Sequence, residues 1–459
     1  MSTIIWAASA LLTDGWAEDV EIEVSPLGEI TRVTANQPFR QGERCGLLIP
    51  GIDNLHSHAH QRAMAGLGER ASPGNDGFPD SFWTWRQVMY HYVERIQPED
   101  LQAIAAQAYM EMLLNGYTSV AEFQYLHHQA DGKAYDNPAE MSLSCQCAAE
   151  QVGIDLTMLP VLYRYGGFGG ADPLPGQRRF LNSADSFIDI VARLQNACRE
   201  NPNQSVGMAP HSLRAVSRDL LSEVMDQLVV ENLAAIHIHI AEQTQEVDEC
   251  LAWSGLRPVQ WLLENFAVDA RWCLIHATHM DAHETRCLAK SQAVAGLCPT
   301  TEANLGDGFF NALDYAAHGG CWGIGSDSQI SVSPVEELRW LEYGQRLLER
   351  KRNLHVSADS PHTGRHLLEQ AWQGGARACG RKTGRITPGY RANLLALDTE
   401  HARLVGRQRD TLLDSWIFAT GDGAIRHVYV GGKKIIDDGR HPMQETIATA
   451  FSRTLEKLQ

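Results

Sequence analysis

The sequence contains no CxxC pair, and its ten cysteines are scattered from Cys45 to Cys379, with Cys145 and Cys147 the closest two. In a chain of 459 residues that scatter is not a disulfide framework, so reduced thiols and a cytoplasmic protein are expected. The opening MSTIIWAASALLTDGWAED reads as a poor signal peptide, because it has an apolar stretch but no basic start, and acidic residues follow it. No apolar run approaches the length of a membrane span. Basic charge is scarce: Lys+Arg 39 against Asp+Glu 56 leave a net charge of −17. Such a surface repels nucleic acid and anionic lipid, and an anionic substrate would need a local basic pocket. A Gly-rich phosphate turn after the first strand, the mark of an open dinucleotide-binding sheet, is lacking too. The nearest stretch, GGFGG at 166–170, comes late and opens no helix.

What is present is an ordinary globular composition, 44% hydrophobic and 21% charged, in a chain long enough for a large core. A repeated rhythm of apolar strand, polar turn and amphipathic helix runs through the middle. The apolar runs are LLIPGIDNLHSH (47–58), TSVAEFQ (118–124), DLTMLPVLY (155–163), SVGMAPHS (205–212), AAIHIHIAE (234–242), CLIHATH (273–279), AVAGLCPT (293–300) and CWGIGSD (321–327). Helical patterns such as 98–116 and 217–230 lie between them. Eight strands alternating with helices predict an α/β fold, a (β/α)8 TIM-type barrel over 51–383. Residues 1–50 and 384–436 read as short β pieces, which predicts a smaller flanking β domain built from both chain termini, 1–50 and 384–459, with a terminal helix over 442–459. The segment 64–97, rich in Gly, Pro, Asp and Trp, is long for a barrel loop and reads as a lid.

Functional side chains of such a barrel sit at the C-terminal ends of its strands. The polar residues cluster there: His56-Ser57-His58 closes the first run, His211 the fourth, His239 and Glu242 the fifth, His276 and His279 the sixth and Asp327 the eighth. His56 and His58, two apart on a strand, point to one side and can reach one ion, and His60 shares their parity. A single histidine is usually a satisfied core or surface residue; several at strand ends of one barrel predict a metal site. His237 lies deeper along its strand and reads as core, and His279 receives no role.

PGIDNLHSHAHQ, HIHIAEQ, LIHATH and IGSDS, in that order, resemble the amidohydrolase superfamily, in its branch of deaminases with a β/α barrel and a flanking β domain. HSHAHQRAMAGL, SFWTWR, VAEFQYLHH, HSLRAV, TTEANLGDG and VEELRWLEYGQRL together resemble the formimidoylglutamate deiminase family, which converts N-formimidoyl-glutamate and water to N-formyl-glutamate and ammonia in histidine degradation. The resemblance implies metal ligands at His56, His58, His239 and Asp327, a proton shuttle at Glu242, a catalytic histidine at His276 and an acceptor role for Asp327. Two-metal members of the superfamily bridge their ions with a carbamylated lysine after the fourth strand. No lysine stands between Lys133 and Lys290, so one divalent ion is expected, zinc from its N/O donors, with iron also compatible. Such an ion lowers the pKa of water towards neutrality, and the amidine carbon is the site of attack. For the dicarboxylate substrate, Arg86, Arg214 and His211 are the candidate cations and Tyr125 and Gln61 the candidate donors, while Glu302 and Asn304 are expected to shape the pocket. His60 stands where the family's first motif has an aromatic residue, as a neutral packing substitute or an altered pocket wall. The resemblance also implies a homodimer. Two other readings share these features: a deaminase of a cyclic base such as guanine, and a catalytically dead scaffold.

Overall fold

The computed structural model describes residues 2–69, 82–228, 233–421 and 423–459. The chain opens on four strands, β1 (Thr3–Leu12), β2 (Gly15–Val24), β3 (Ile30–Thr34) and β4 (Glu43–Pro50). Buried Ile5, Ala7, Val20, Ile22 and Val24 face a small core of their own, as the alternation of a half-solvated sheet requires. The middle of the chain then forms two sheets of parallel strands. The first contains β5 (Ile52–Ser57), β6 (Tyr117–Gln124), β7 (Asp155–Leu162) and β8 (Gln204–Val206), with β9 (Ala209–Pro210) pairing on β7. The second contains β10 (Ile236–Ile240), β11 (Trp272–His276), β12 (Val294–Leu297) and β13 (Cys321–Ile324). Nearly every residue of these strands is buried, which is why they read as continuous apolar runs. Helices alternate with them, and single bridges join the two sheets on both sides: Ser57 with Asp327, and Met208 with Ile236 and Ser212 with His239. Three late strands, β14 (Leu394–Leu397), β15 (Ile425–Val430) and β16 (Lys433–Ile436), return to the first four, giving a seven-stranded sheet in the order β16-β15-β14-β4-β1-β2-β3.

Three local readings of the sequence are corrected. The run 47–58 is two strands: β4 pairs with β1 and β14, while β5 pairs with β6. The break is at Gly51, where a Cβ would lie 2.3 Å from the hydroxyl of Thr118. The run 205–212 is likewise two short strands, interrupted at Gly207, whose Cβ would stand 2.5 Å from the carbonyl oxygen of Ala235. The stretch 384–436 is not all β. A helix over Arg409–Ala419 buries Leu412, Leu413, Trp416 and Ile417 on one face, and Trp16 of β2 donates to Asp410 at its start (2.8 Å). The terminal helix, Gln444–Leu458, lies on the helix Pro98–Asn115 and ties to it through Lys457 Nζ and Asp100 (2.7 Å). Of the segment read as a lid, residues 70–81 lie outside the described residues, and Phe82–Val93 is a helix.

Candidate metal centre and substrate cavity

The C-terminal ends of β5, β10 and β13 bring four donor groups together. Nε2 of His56 stands 3.1 Å from Nε2 of His239, and Oδ1 of Asp327 lies 3.4 Å from Nε2 of His56 and 3.3 Å from Nε2 of His58. The tautomers are set from behind. Nδ1–H of His58 donates to the carbonyl of Phe123 (3.0 Å), and Nδ1–H of His239 donates to the carbonyl of His211 (3.1 Å). Both rings therefore turn an Nε2 lone pair inward, the arrangement second-shell carbonyls impose on metal-binding histidines. Burial pushes the pKa of His56 down to about 3 and lowers those of His58 and His239, so the three rings are neutral. Asp327 is held below the usual carboxylate range, its burial outweighed by the hydrogen bond with His56. The Nε2 lone pairs of His58 and His239 converge with a carboxylate oxygen of Asp327, and a cation among them relieves their repulsion. Ligand atoms about 2.0–2.1 Å from a tetrahedral zinc ion stand about 3.3 Å apart, and the spacings above match that. The donors fit one divalent ion.

Beside this cluster, Oε1 of Glu242 stands 3.7 Å from Nε2 of His276, and Oδ2 of Asp327 stands 3.8 Å from the same nitrogen. Burial pushes the Glu242 carboxyl up to about 7, against the pull of His276 and Arg214. Burial opposes a charged His276, but the carboxylates of Glu242, Glu302 and Asp327 outweigh it and raise its pKa to about 10. The pair thus offers a carboxyl that exchanges its proton near neutrality next to a ring that keeps its own. The backbone here is strained. Ala241, His276, Ala277, Asp327 and Gln329 all have φ between +47° and +68°, a region non-glycine residues rarely adopt. Two of these residues, His276 and Asp327, border the cavity at the strand ends.

One cavity is bordered by His58, Gln61, Arg86, Tyr125, His211, Arg214, His239, Glu242, His276 and Asp327, so of the expected ligands, catalytic groups and carboxylate-binding residues His56 alone does not border it. Trp85, Tyr90, Tyr163 and Phe180 add an aromatic wall, and Met89 and Gly166 of the GGFGG stretch also border the cavity. The expectation for Asn304 is not met: its amide donates to Glu69 (2.6 Å), and it lies off this cavity. Glu302 sits one step back, its Oε1 accepting from Nδ1–H of His276 (3.3 Å) and from the backbone N–H of Cys298 (3.0 Å). His237 is core, donating from Nε2 to the carbonyl of Ala378 (2.8 Å).

Several supporting residues went unread in the sequence. Glu246 accepts from the backbone N–H groups of Ala241 and Glu242 (both 3.2 Å) and so fixes the turn that carries Glu242; its place in the first turn of the helix Thr244–Ser254 was a usable capping signal. A buried chain runs behind the ligands from Asn54 to Ser326 (2.7 Å), Ser326 to Gln329 (2.9 Å), Gln329 to Ser57 (2.9 Å) and Ser57 to Glu122 (2.6 Å). Nothing in the local sequence marks it.

The amidohydrolase family profile matches residues 47–435, and a profile described as the N-terminal domain of the formimidoylglutamate deiminase HutF matches residues 2–46. The chain is 50% identical over 455 residues to a formimidoylglutamate deiminase of Pseudomonas aeruginosa, covering 99% of each. Among solved structures it resembles an amidohydrolase from Brucella melitensis, with a TM-score of 0.93, 44% identity and 99% of each chain covered. It also shares its fold with an adenosine deaminase from Xanthomonas campestris with bound zinc, at a TM-score of 0.81 and 20% identity, over 99% of this chain and 98% of that one.

Proposed function

The chain belongs to the amidohydrolase family and, within it, to the formimidoylglutamate deiminases, and from that premise we propose that it hydrolyses the C–N bond of N-formimidoyl-L-glutamate, releasing N-formyl-L-glutamate and ammonia, in histidine degradation. One observation carries the reading: a four-donor cluster that fits one divalent ion shares a cavity with two arginines, in a chain whose net charge is −17. His56, His58, His239 and Asp327 hold the ion, which is zinc by the match of donor types, with iron(II) meeting the same set. When bound, the ion supplies Lewis acidity that brings water close to ionisation at neutral pH. Asp327 accepts the proton of the attacking water. Glu242, poised near neutrality, gives a proton to the imino nitrogen, is recharged by the water proton that Asp327 took and gives that one too, so that the nitrogen leaves as ammonia, while the second proton of the water, released as the formyl C=O forms, restores Glu242. His276, held protonated, donates from Nε2 to the oxygen on the tetrahedral carbon. Arg86 and Arg214, with Tyr125, Gln61 and His211, bind and orient the two carboxylates.

The same premise supports the architecture around the site. The two parallel sheets are the halves of one eight-stranded barrel, a reading supported by the bridges at Ser57–Asp327 and Met208–Ile236. The catalytic barrel spans 51–383, and 1–50 with 384–459 form the flanking β domain and terminal helix. A homodimer is supported by Trp340, Tyr343, Leu347 and Leu348, exposed along the helix Pro334–Glu349 beside Phe309. A cytoplasmic setting accords with ten free cysteines, and no described helix is long and apolar enough to cross a membrane. The test is ammonia release from formimidoyl-glutamate, formimidoyl-aspartate and guanine. Formimidoyl-glutamate should be the preferred substrate, and Arg214→Ala should raise its KM by ten- to a hundredfold, the loss of a charge-assisted carboxylate contact, with unchanged thermal unfolding. Preference for guanine, or a normal KM in the variant, would overturn the assignment.

A further inference from the structure

His60 follows the two ligand histidines in sequence but borders no part of the cavity. It is 2% exposed and reaches Oη of Tyr125 from its Nε2 at 2.8 Å. Gln61 donates to the same oxygen from Nε2 at 3.1 Å. Tyr125 does border the cavity, and its own O–H points to Sδ of Met89 at 3.7 Å, a weak acceptor. The other ring nitrogen of His60, Nδ1, is buried with no hydrogen-bond partner among the described residues.

Hydrogen-bond valence then fixes the protons. An unpartnered buried N–H is costlier than an unpartnered lone pair, so a neutral His60 carries its hydrogen on Nε2 and donates it to Tyr125. The same reasoning fixes Gln61: its Oε1 has no partner among the described residues, and turning the amide over would leave two N–H groups stranded in its place. Tyr125 Oη therefore receives two donors, all that a phenolic oxygen accepts, and its own hydrogen is left for a partner in the cavity.

We propose that His60 is a positioning residue that, with Gln61, saturates the acceptor side of Tyr125 and aims the Tyr125 hydroxyl hydrogen at a carboxylate oxygen of the substrate. The proposal rests on the dicarboxylate reading above and adds why the tyrosine acts as an obligate donor.

The test is a double-mutant cycle with formimidoyl-glutamate. His60→Phe keeps the ring but loses the donor, and should raise KM by about tenfold, the loss of one preorganised hydrogen bond to a charged group, with kcat and bound metal retained. His60→Gln, which restores a donor, should recover most of the loss. In a Tyr125→Phe background, His60→Phe should add nothing to KM. Full additivity, or a wild-type KM in His60→Phe, overturns the proposal. Neutron diffraction of the wild-type holoenzyme tests the proton positions without relying on turnover: hydrogen is expected on Nε2 of His60, and hydrogen on Nδ1 overturns the proposal. An inactive wild-type enzyme with hydrogen on Nε2 would instead locate the failure in the substrate assignment.

Discussion

Glu302 shows how a single residue can act on the chemistry without touching substrate. Its Oε1 is shared between Nδ1 of His276 and the backbone of Cys298, so it sets both the orientation of the ring and the turn after β12. It also joins Glu242 and Asp327 in holding His276 protonated against its burial. Replacing it by glutamine keeps the shape and an acceptor but removes the charge. Glu302→Gln should lower kcat by ten- to a hundredfold, the usual effect of losing a partner one step behind the reacting groups, with KM and metal content little changed. It should also move the alkaline limb of the pH–rate profile to lower pH, because His276 would give up its proton more readily. An unchanged profile would show that the carboxylate is only structural.

At the scale of elements, the long helix Pro334–Glu349 is tied to the chain that follows it by one buried carboxylate. Glu342 accepts from Nε–H of Arg346 (2.6 Å), Nδ1–H of His355 (2.7 Å) and the backbone N–H groups of Leu354 and His355. Burial alone would raise its pKa, but these donors outweigh it and bring the value down to about 2. A folded pKa below the unfolded value of about 4.3 means that the stabilisation is complete above that pH and is lost as pH falls towards 2. Glu342→Gln should therefore cost about 3 kcal/mol in urea unfolding at pH 7, and the gap to wild type should be unchanged at pH 6 and shrink below pH 4.5. A gap independent of pH would mean lost packing and not lost charge. Which elements could be read from sequence follows the same physics. The ligand strands were legible because histidine pairs of period two and carboxylates at strand ends are local patterns, and Glu242 because it stands three residues beyond a ligand. The breaks at Gly51 and Gly207 were not, since the atoms that forbid a side chain there come from Thr118 and Ala235. The chain from Asn54 through Ser326, Gln329 and Ser57 to Glu122 joins residues up to 272 positions apart, so no window of sequence contains it. The helix Arg409–Ala419 was hidden by the β-like stretches on either side.

For the molecule as a whole, the donor cluster lies where the two parallel sheets meet. His56 lies on β5 with His58 just past its end, His239 lies on β10 and Asp327 follows β13, and single bridges join the two sheets, two of them ending on Asp327 and His239. An ion held by all four side chains therefore cross-links the sheets at both seams. The seven-stranded sheet has a separate small core and no donor in the cluster. A ligand that binds only the folded state stabilises it by about 2.7 kcal/mol when present at a hundred times its dissociation constant, and an ion gripped by four groups exceeds that ratio easily. Removing the metal with a chelator should thus lower the unfolding temperature by several degrees, and stoichiometric zinc should restore it together with activity. The loss should also be uneven. Amide exchange should quicken at Ile52–Ser57, Ile236–Ile240 and Cys321–Ile324, the strands that flank the seams, while β1, β2 and β4 stay protected. Uniform quickening across all sheets would show that the ion stabilises the chain generally and does not act as a clamp between its two halves.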